Sequence, residues 1–238
     1  MKMIWIFSVL IFASTAYAKP AVTHGSDRIM PISDKDFKKA KPISYYLPEI
    51  FDVSADQVES KIMPWKRAIK QVELGQIDVM GPLVVDPRKE AYVVFTEPLM
   101  TRDMFLWFKN SNMATKKKTW NELSDLKPFT IAHVLGYYYG PDFENFLKLS
   151  DVKKIEVVDV AHGIKALEAG EADLFIGSKV IIEENVEKIG IQIESFGHMP
   201  KPVSKLSFVL GISKKSAWAK KVDELNKRVL KIRKSLEN

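Results

Sequence analysis

Residues 68–80 read AIKQVELGQIDVM and residues 163–175 read GIKALEAGEADLF, and the two stretches superpose without a gap. Ile69 and Ile164, Lys70 and Lys165, Glu73 and Glu168, Gly75 and Gly170, and Asp78 and Asp173 coincide. Each copy spaces its apolar residues as a helix does and then meets a glycine suited to a left-handed C-cap. A short polar step leads to the aspartate, and an apolar strand follows: Val79-Met80 in one copy, Leu174-Phe175-Ile176 in the other. Two helix–turn–strand units about 95 residues apart predict two similar α/β lobes.

Outward from the repeat, apolar β-rich runs predict strands at Tyr92–Phe95, Met104–Phe108, Phe129–Val134, Ile155–Val160 and Leu206–Ile212. Helices are expected at Trp65–Leu74, Asp142–Leu149, Ala161–Ala169 and Ala217–Leu236. In the last, Trp218, Val222, Leu225, Val229, Ile232 and Leu236 form one apolar stripe under a basic face. A terminal helix docked on its own domain fits that stripe better than a membrane or partner surface.

The chain opens with Met1-Lys2, an apolar run over 4–13 and then Ala16-Tyr17-Ala18. That order predicts a cleavable signal peptide spanning 1–18, with cleavage expected after Ala18 and a periplasmic destination. The run is shorter than the roughly 20 residues of a spanning helix, and with no cysteine after it a lipid anchor is not expected. Cleavage would leave 220 of the 238 residues, enough for two lobes. The absence of cysteine leaves stability to packing. Net charge is +6 with pI near 9.2, spread over segments such as Lys116-Lys117-Lys118. A solvated basic surface accounts for it, and nucleic acid is not an expected partner.

The run PWKRAIKQVELGQID at 64–78, with DPRKEAYVVFTEPL at 86–99, resembles a hallmark stretch of the bacterial extracellular solute-binding proteins, family 3, of amino-acid ABC transporters. GYYYGPDFENFL at 136–147 and VVDVAHGIKALEAGEADLFIGSK at 157–179 are similar to the family's second-lobe segments. The resemblance implies an α/β, two-lobed type 2 periplasmic-binding-protein fold. Lobe one would be 19–105 plus 205–238 and lobe two 106–204, with strands near Met104–Phe108 and Leu206–Gly211 crossing as a hinge. A small-molecule solute would sit in the cleft between lobes and be passed to an inner-membrane ABC permease. A monomer without cofactor or metal is expected.

Carried over residue by residue, the resemblance places Trp65, Val84, Arg88, Lys89, Tyr137, Tyr138 and Ser178 at the ligand. Three departures bear on that ligand. The opening over 23–51, THGSDRIMPISDKDFKKAKPISYYLPEIF, lacks the family's usual first-lobe loop. Lys89 stands where the family has the arginine that grips a carboxylate, with Arg88 one residue early. Lysine brings charge without a bidentate fork, so Arg88 is re-aimed, or Lys89 acts as a point charge, or both face solvent. Ser178 stands where the family's amino-acid binders have the acid that balances an ammonium. These changes point to a polar or anionic solute without an obligatory amine. The helix beginning near Asp142 adds backbone N–H groups able to receive an anion.

Two other readings remain open at this stage. A degenerate or sensory paralogue would act through a protein partner. A dehydratase-like enzyme of the same fold would need a poised acid or base. His24, His133, His162 and His198 show no metal-ligand spacing, and no Gly-x-Ser-x-Gly motif is present, so an enzyme is not expected.

Overall fold

The repeat becomes two copies of one hydrogen-bonded device. Helix α2 (Trp65–Leu74) ends at Gly75 with φ 76°, and α4 (Val160–Ala169) ends at Gly170 with φ 74°, the left-handed turn glycine adopts without strain. The Asp78 side chain accepts the Thr23 N–H at 2.9 Å, and its own N–H donates to the Thr23 carbonyl at 3.0 Å. Asp173 does the same with Thr130, at 2.9 Å in both directions. Each aspartate thus fixes the start of one strand against another. Those strands are β1 (Val22–Ser26) beside β3 (Val79–Val84), and β6 (Ile131–Val134) beside β8 (Leu174–Gly177).

This computed structural model describes residues 21–27, 41–112, 119–149 and 151–237. The signal peptide expected over 1–18 and the run Lys116-Lys117-Lys118 lie outside the described residues. So does 28–40, the middle of the altered opening.

Each lobe is a strand–helix–strand–helix–strand unit. The first runs through β1, α1 (Ile43–Phe51), β2 (Val58–Ile62), α2 and β3; the second runs through β6, α3 (Pro141–Leu149), β7 (Lys154–Val157), α4 and β8. In both, the first strand lies in the middle and pairs in parallel with the other two. Strands β5 (Met100–Lys109) and β10 (Ser204–Ser213) join the units. β5 pairs antiparallel with β10 over Met100–Met104 and with β8 over Phe105–Trp107. β10 continues onto β3 and β4 (Val93–Phe95), while β9 (Phe196–His198) flanks β5. The strand path is β2-β1-β3-β10-β5-β8-β6-β7.

Apolar packing divides in the same way. One core gathers Phe143, Ile164 and Phe175 of the second unit with Leu106 of β5; another joins Leu47, Phe51 and Leu210 to Leu225, Val229 and Ile232 of α6 (Val222–Glu237). The stripe of the terminal helix is therefore docked on its own domain. A third core packs Trp65, Val72, Met80 and Val209.

The structure adjusts several expectations. The strand expected over Ile155–Val160 ends at Val157, because Asp159 turns the chain and accepts the His162 N–H at 2.9 Å to cap α4. The terminal helix is preceded by a 3-10 turn over Ala217–Lys221. Sequence reasoning had not placed β1, α1, β2, β9 or α5 (Lys179–Lys188).

Candidate functional site

A cavity opens where the two units face each other, with an empty volume of ≈ 490 Å³ including its mouth. Its walls come from both lobes: Trp65 and the Pro82-Leu83-Val84 segment on one side, Tyr137, Tyr138 and Tyr139 on the other. Met104, Leu206 and Phe208 of the joining strands, with Ile181 of α5, complete it. Lys89 and Asp27 are the charged lining residues.

Local sequence explains the approach of the walls. Trp65 opens α2 directly after Pro64, and Gly136 has φ 83°. The Trp65 indole N–H donates to the Gly136 carbonyl at 3.3 Å, across the lobes. A Cβ at Gly136 would stand 3.5 Å from the same ring. Beside it Tyr137 meets Trp65 edge-on, with centroids 6.1 Å apart, and its hydroxyl donates to Asp27. Tyr139 is buried, with its hydroxyl oxygen accepting the Val134 N–H at 2.9 Å. Two rings of the Tyr-Tyr-Tyr run are therefore tied to protein groups, whereas Tyr138 lies under the Arg88 guanidinium, 5.3 Å from its ring centroid.

The two cations after β3 share one carboxylate. Asp86 is fully buried and caps the 3-10 turn Pro87–Lys89 by accepting the Arg88 N–H at 3.0 Å. Arg88 grips it with two further bonds, 2.8 and 3.0 Å, and the Lys89 ammonium donates to the same side chain. Burial pushes the Asp86 carboxyl upward, but the bonds from Arg88 and Lys89 together hold it below its ordinary value. Hydrogen bonding to Asp86 raises Arg88, while burial lowers Lys89 despite that carboxylate. Arg88 also reaches Glu144 of α3 at 3.5 Å, linking the lobes at the rim.

The sequence-predicted residues are thus divided. Trp65, Val84, Lys89, Tyr137 and Tyr138 line one cavity. Arg88 borders the adjoining outer groove with His133 and Glu144. Neither cation faces solvent without a partner, since Asp86 occupies both. The N-terminal end of α3 holds a carboxylate of its own, because Glu144 accepts the Tyr139 N–H at 3.1 Å. Ser178 stands apart, lining a separate hollow with Arg102 and Lys179.

Sequence reasoning missed Asp27, Asp86, Glu144 and His24. Asp86-Pro87 carried a usable signal, since Asp before Pro starts turns and caps them. His24 is buried, with Nε2 2.8 Å from the Gly81 carbonyl and Nδ1 3.2 Å from the Ser60 hydroxyl. The carbonyl requires the proton on Nε2, and burial lowers the imidazole's pKa. Among the described residues no cluster of three His, Asp or Glu could hold a metal ion.

No protein-family model matches the sequence, and no curated protein matches it. Solved structures do. An ancestral arginine-binding protein bound to glutamine superposes with TM-score 0.67 at 18% identity, covering 90% of this chain and 92% of that one. Holo ArgBP from T. maritima gives 0.69 at 16%, covering 89% and 90%. A histidine kinase sensor domain with similarity to periplasmic binding proteins gives 0.70 at 14%, covering 92% of both chains. What is shared at these identities is the architecture: the chain has the two-lobed α/β fold of the type 2 periplasmic binding proteins.

Proposed function

We propose that this chain is a periplasmic solute-binding protein that holds a small solute between its lobes and presents it to an inner-membrane ABC permease or sensor. The observation that carries this reading is a single cavity walled by aromatic residues of both units, so that an occupant would contact both lobes at once. Lobe one is then 19–105 with 205–238, and lobe two is 106–204, turning about β5 and β10. Solved proteins of this fold that bind arginine or serve an amino-acid ABC transporter support binding rather than catalysis.

The lining favours a flat, largely apolar solute that stacks on Trp65 and Tyr138. Lys89 offers it a donor, and because Asp86 already balances that ammonium, either a neutral carbonyl or a carboxylate can accept. The one carboxylate among the lining residues, Asp27, is half-buried and already accepts from Tyr137.

A thermal-shift screen against aromatic acids, cyclic amides, amino acids and sugars tests the reading. A solute at about 100 times its Kd adds about 2.7 kcal/mol, which raises Tm by roughly 5–10 °C. Stabilisation by ring-bearing compounds with an acceptor is expected. Stabilisation by aliphatic α-amino acids alone would overturn the solute class, and no response to any class would overturn binding in the cavity.

A further inference from the structure

Two side chains at the rim of the cavity are each anchored in their own lobe and face each other across it. Arg88 uses Nε and Nη2 on Asp86, at 2.8 and 3.0 Å. Its remaining nitrogen, Nη1, stands 3.5 Å from Oε2 of Glu144 in the other lobe. Glu144 is held in a like manner, since its Oε1 accepts the Tyr139 N–H at 3.1 Å. Side chains anchored before they meet lose little further freedom on pairing, unlike those of an ordinary surface ion pair.

The position of the pair matters as much as its geometry. Gly136, Tyr137 and Tyr138 line both the cavity and the groove that Arg88 borders, so the pair stands where the two meet. The Arg88 guanidinium also lies 5.3 Å from the Tyr138 ring centroid, and the Trp65 indole N–H reaches the Gly136 carbonyl at 3.3 Å. Each of these contacts joins one protein group to another across the lobes, and so holds with or without an occupant. With the Arg88 side chain 58% exposed, its pair with Glu144 is open to screening by salt.

We propose that Arg88 and Glu144 form a cross-lobe latch, so that opening of the cleft, and with it solute entry and release, waits on breaking this ion pair. The latch rests on the reading that the lobes turn about β5 and β10. Arg88, expected from the sequence to touch the ligand, then acts on binding through Glu144.

The test is thiol labelling with iodoacetamide, a neutral reagent, in the full chain, which has no cysteine of its own. Met104→Cys places the thiol in the cavity wall, and Leu225→Cys places it in the core beneath α6. The first is labelled when the lobes open, the second only on unfolding. Glu144→Gln keeps an oxygen for the Tyr139 N–H and loses the charge. It should speed labelling of Met104→Cys about two- to fivefold, the range of one surface ion pair, and leave Leu225→Cys unchanged. Added sodium chloride should speed Met104→Cys in the parent and do so much less in Glu144→Gln, which lacks the pair that salt screens. Labelling of Met104→Cys at one rate with and without Glu144→Gln would overturn the latch, as would equal acceleration of both cysteines. A urea dependence as steep for Met104→Cys as for Leu225→Cys would mean that the cavity opens only by unfolding, and the turning of the lobes would fall with the latch.

Discussion

Set side by side, the two lobes share a scaffold and differ where they face the cavity. Both use a left-handed glycine after the helix and an aspartate that bonds back to a threonine at the head of the central strand. After the third strand they part. Lobe one turns through Asp86, Arg88 and Lys89 into a compact charge cluster, whereas lobe two runs through Ser178 into α5. Behind the strands, His24 pairs with Val79 where Ile131 pairs with Leu174, so one lobe buries an imidazole where the other buries an aliphatic chain. Repeated residues keep the architecture, and the unmatched ones carry the polarity that a binding cleft needs.

The largest expected effect comes from breaking the charge cluster. Asp86→Ala leaves Lys89 buried without its counter-ion and should cost about 3 kcal/mol in urea unfolding at neutral pH. A carboxylate of lobe two with only neutral donors gives the contrast: Asp173→Ala removes bonds to the Thr130 N–H and Asn112 and should cost about 1–2 kcal/mol. Equal losses would mean that the cluster is no more than another strand-fixing device.

Next in size is His24→Ile, which makes lobe one resemble lobe two. It strips the Gly81 carbonyl and the Ser60 hydroxyl of a partner and should cost about 1–2 kcal/mol at pH 7.5. The pH dependence follows from the lowered His24 pKa. As pH falls below about 6.5 the unfolded chain takes up a proton before the folded chain does, so the parent loses stability there. The variant lacks that slope, and the gap between the two should narrow by pH 5.5. Parallel stability curves would contradict the buried neutral imidazole.

The smallest effect separates the two caps. Gly170→Ala should cost about 1 kcal/mol from its positive φ alone, because a Cβ there meets nothing within 4 Å. Gly75→Ala should cost more, since its Cβ would come within 2.8 Å of Lys215. Thermal melts of the two variants measure the difference.

What could be read in advance followed periodicity. Helices α2 and α4, with their glycine caps, and the strands around them were legible because apolar spacing, turn and strand follow in one order twice. Helix α1 was not, because Pro48 interrupts it and Pro42 offers no capping side chain, although Ile43, Leu47, Ile50 and Phe51 bury one face. Helix α5 hid behind Val180-Ile181-Ile182, three buried neighbours that read as strand. Strand β1 contains a buried Thr, His and Ser, an unpromising composition rescued by bonds to residues far along the chain. At the site, Trp65, Lys89 and Tyr137 could be named from the sequence. That Asp86 would take both cations could not, since the choice among partners is made by burial and not by order along the chain.

The central claim is that one occupant touches both lobes. The most direct measurement is isothermal titration of a stabilising solute into the parent, Trp65→Ala and Tyr138→Ala. The two-wall account predicts that each substitution weakens binding by about tenfold or more, since each removes a stacking surface from a different lobe. Unchanged affinity in either variant would place the solute on one lobe and contradict the account.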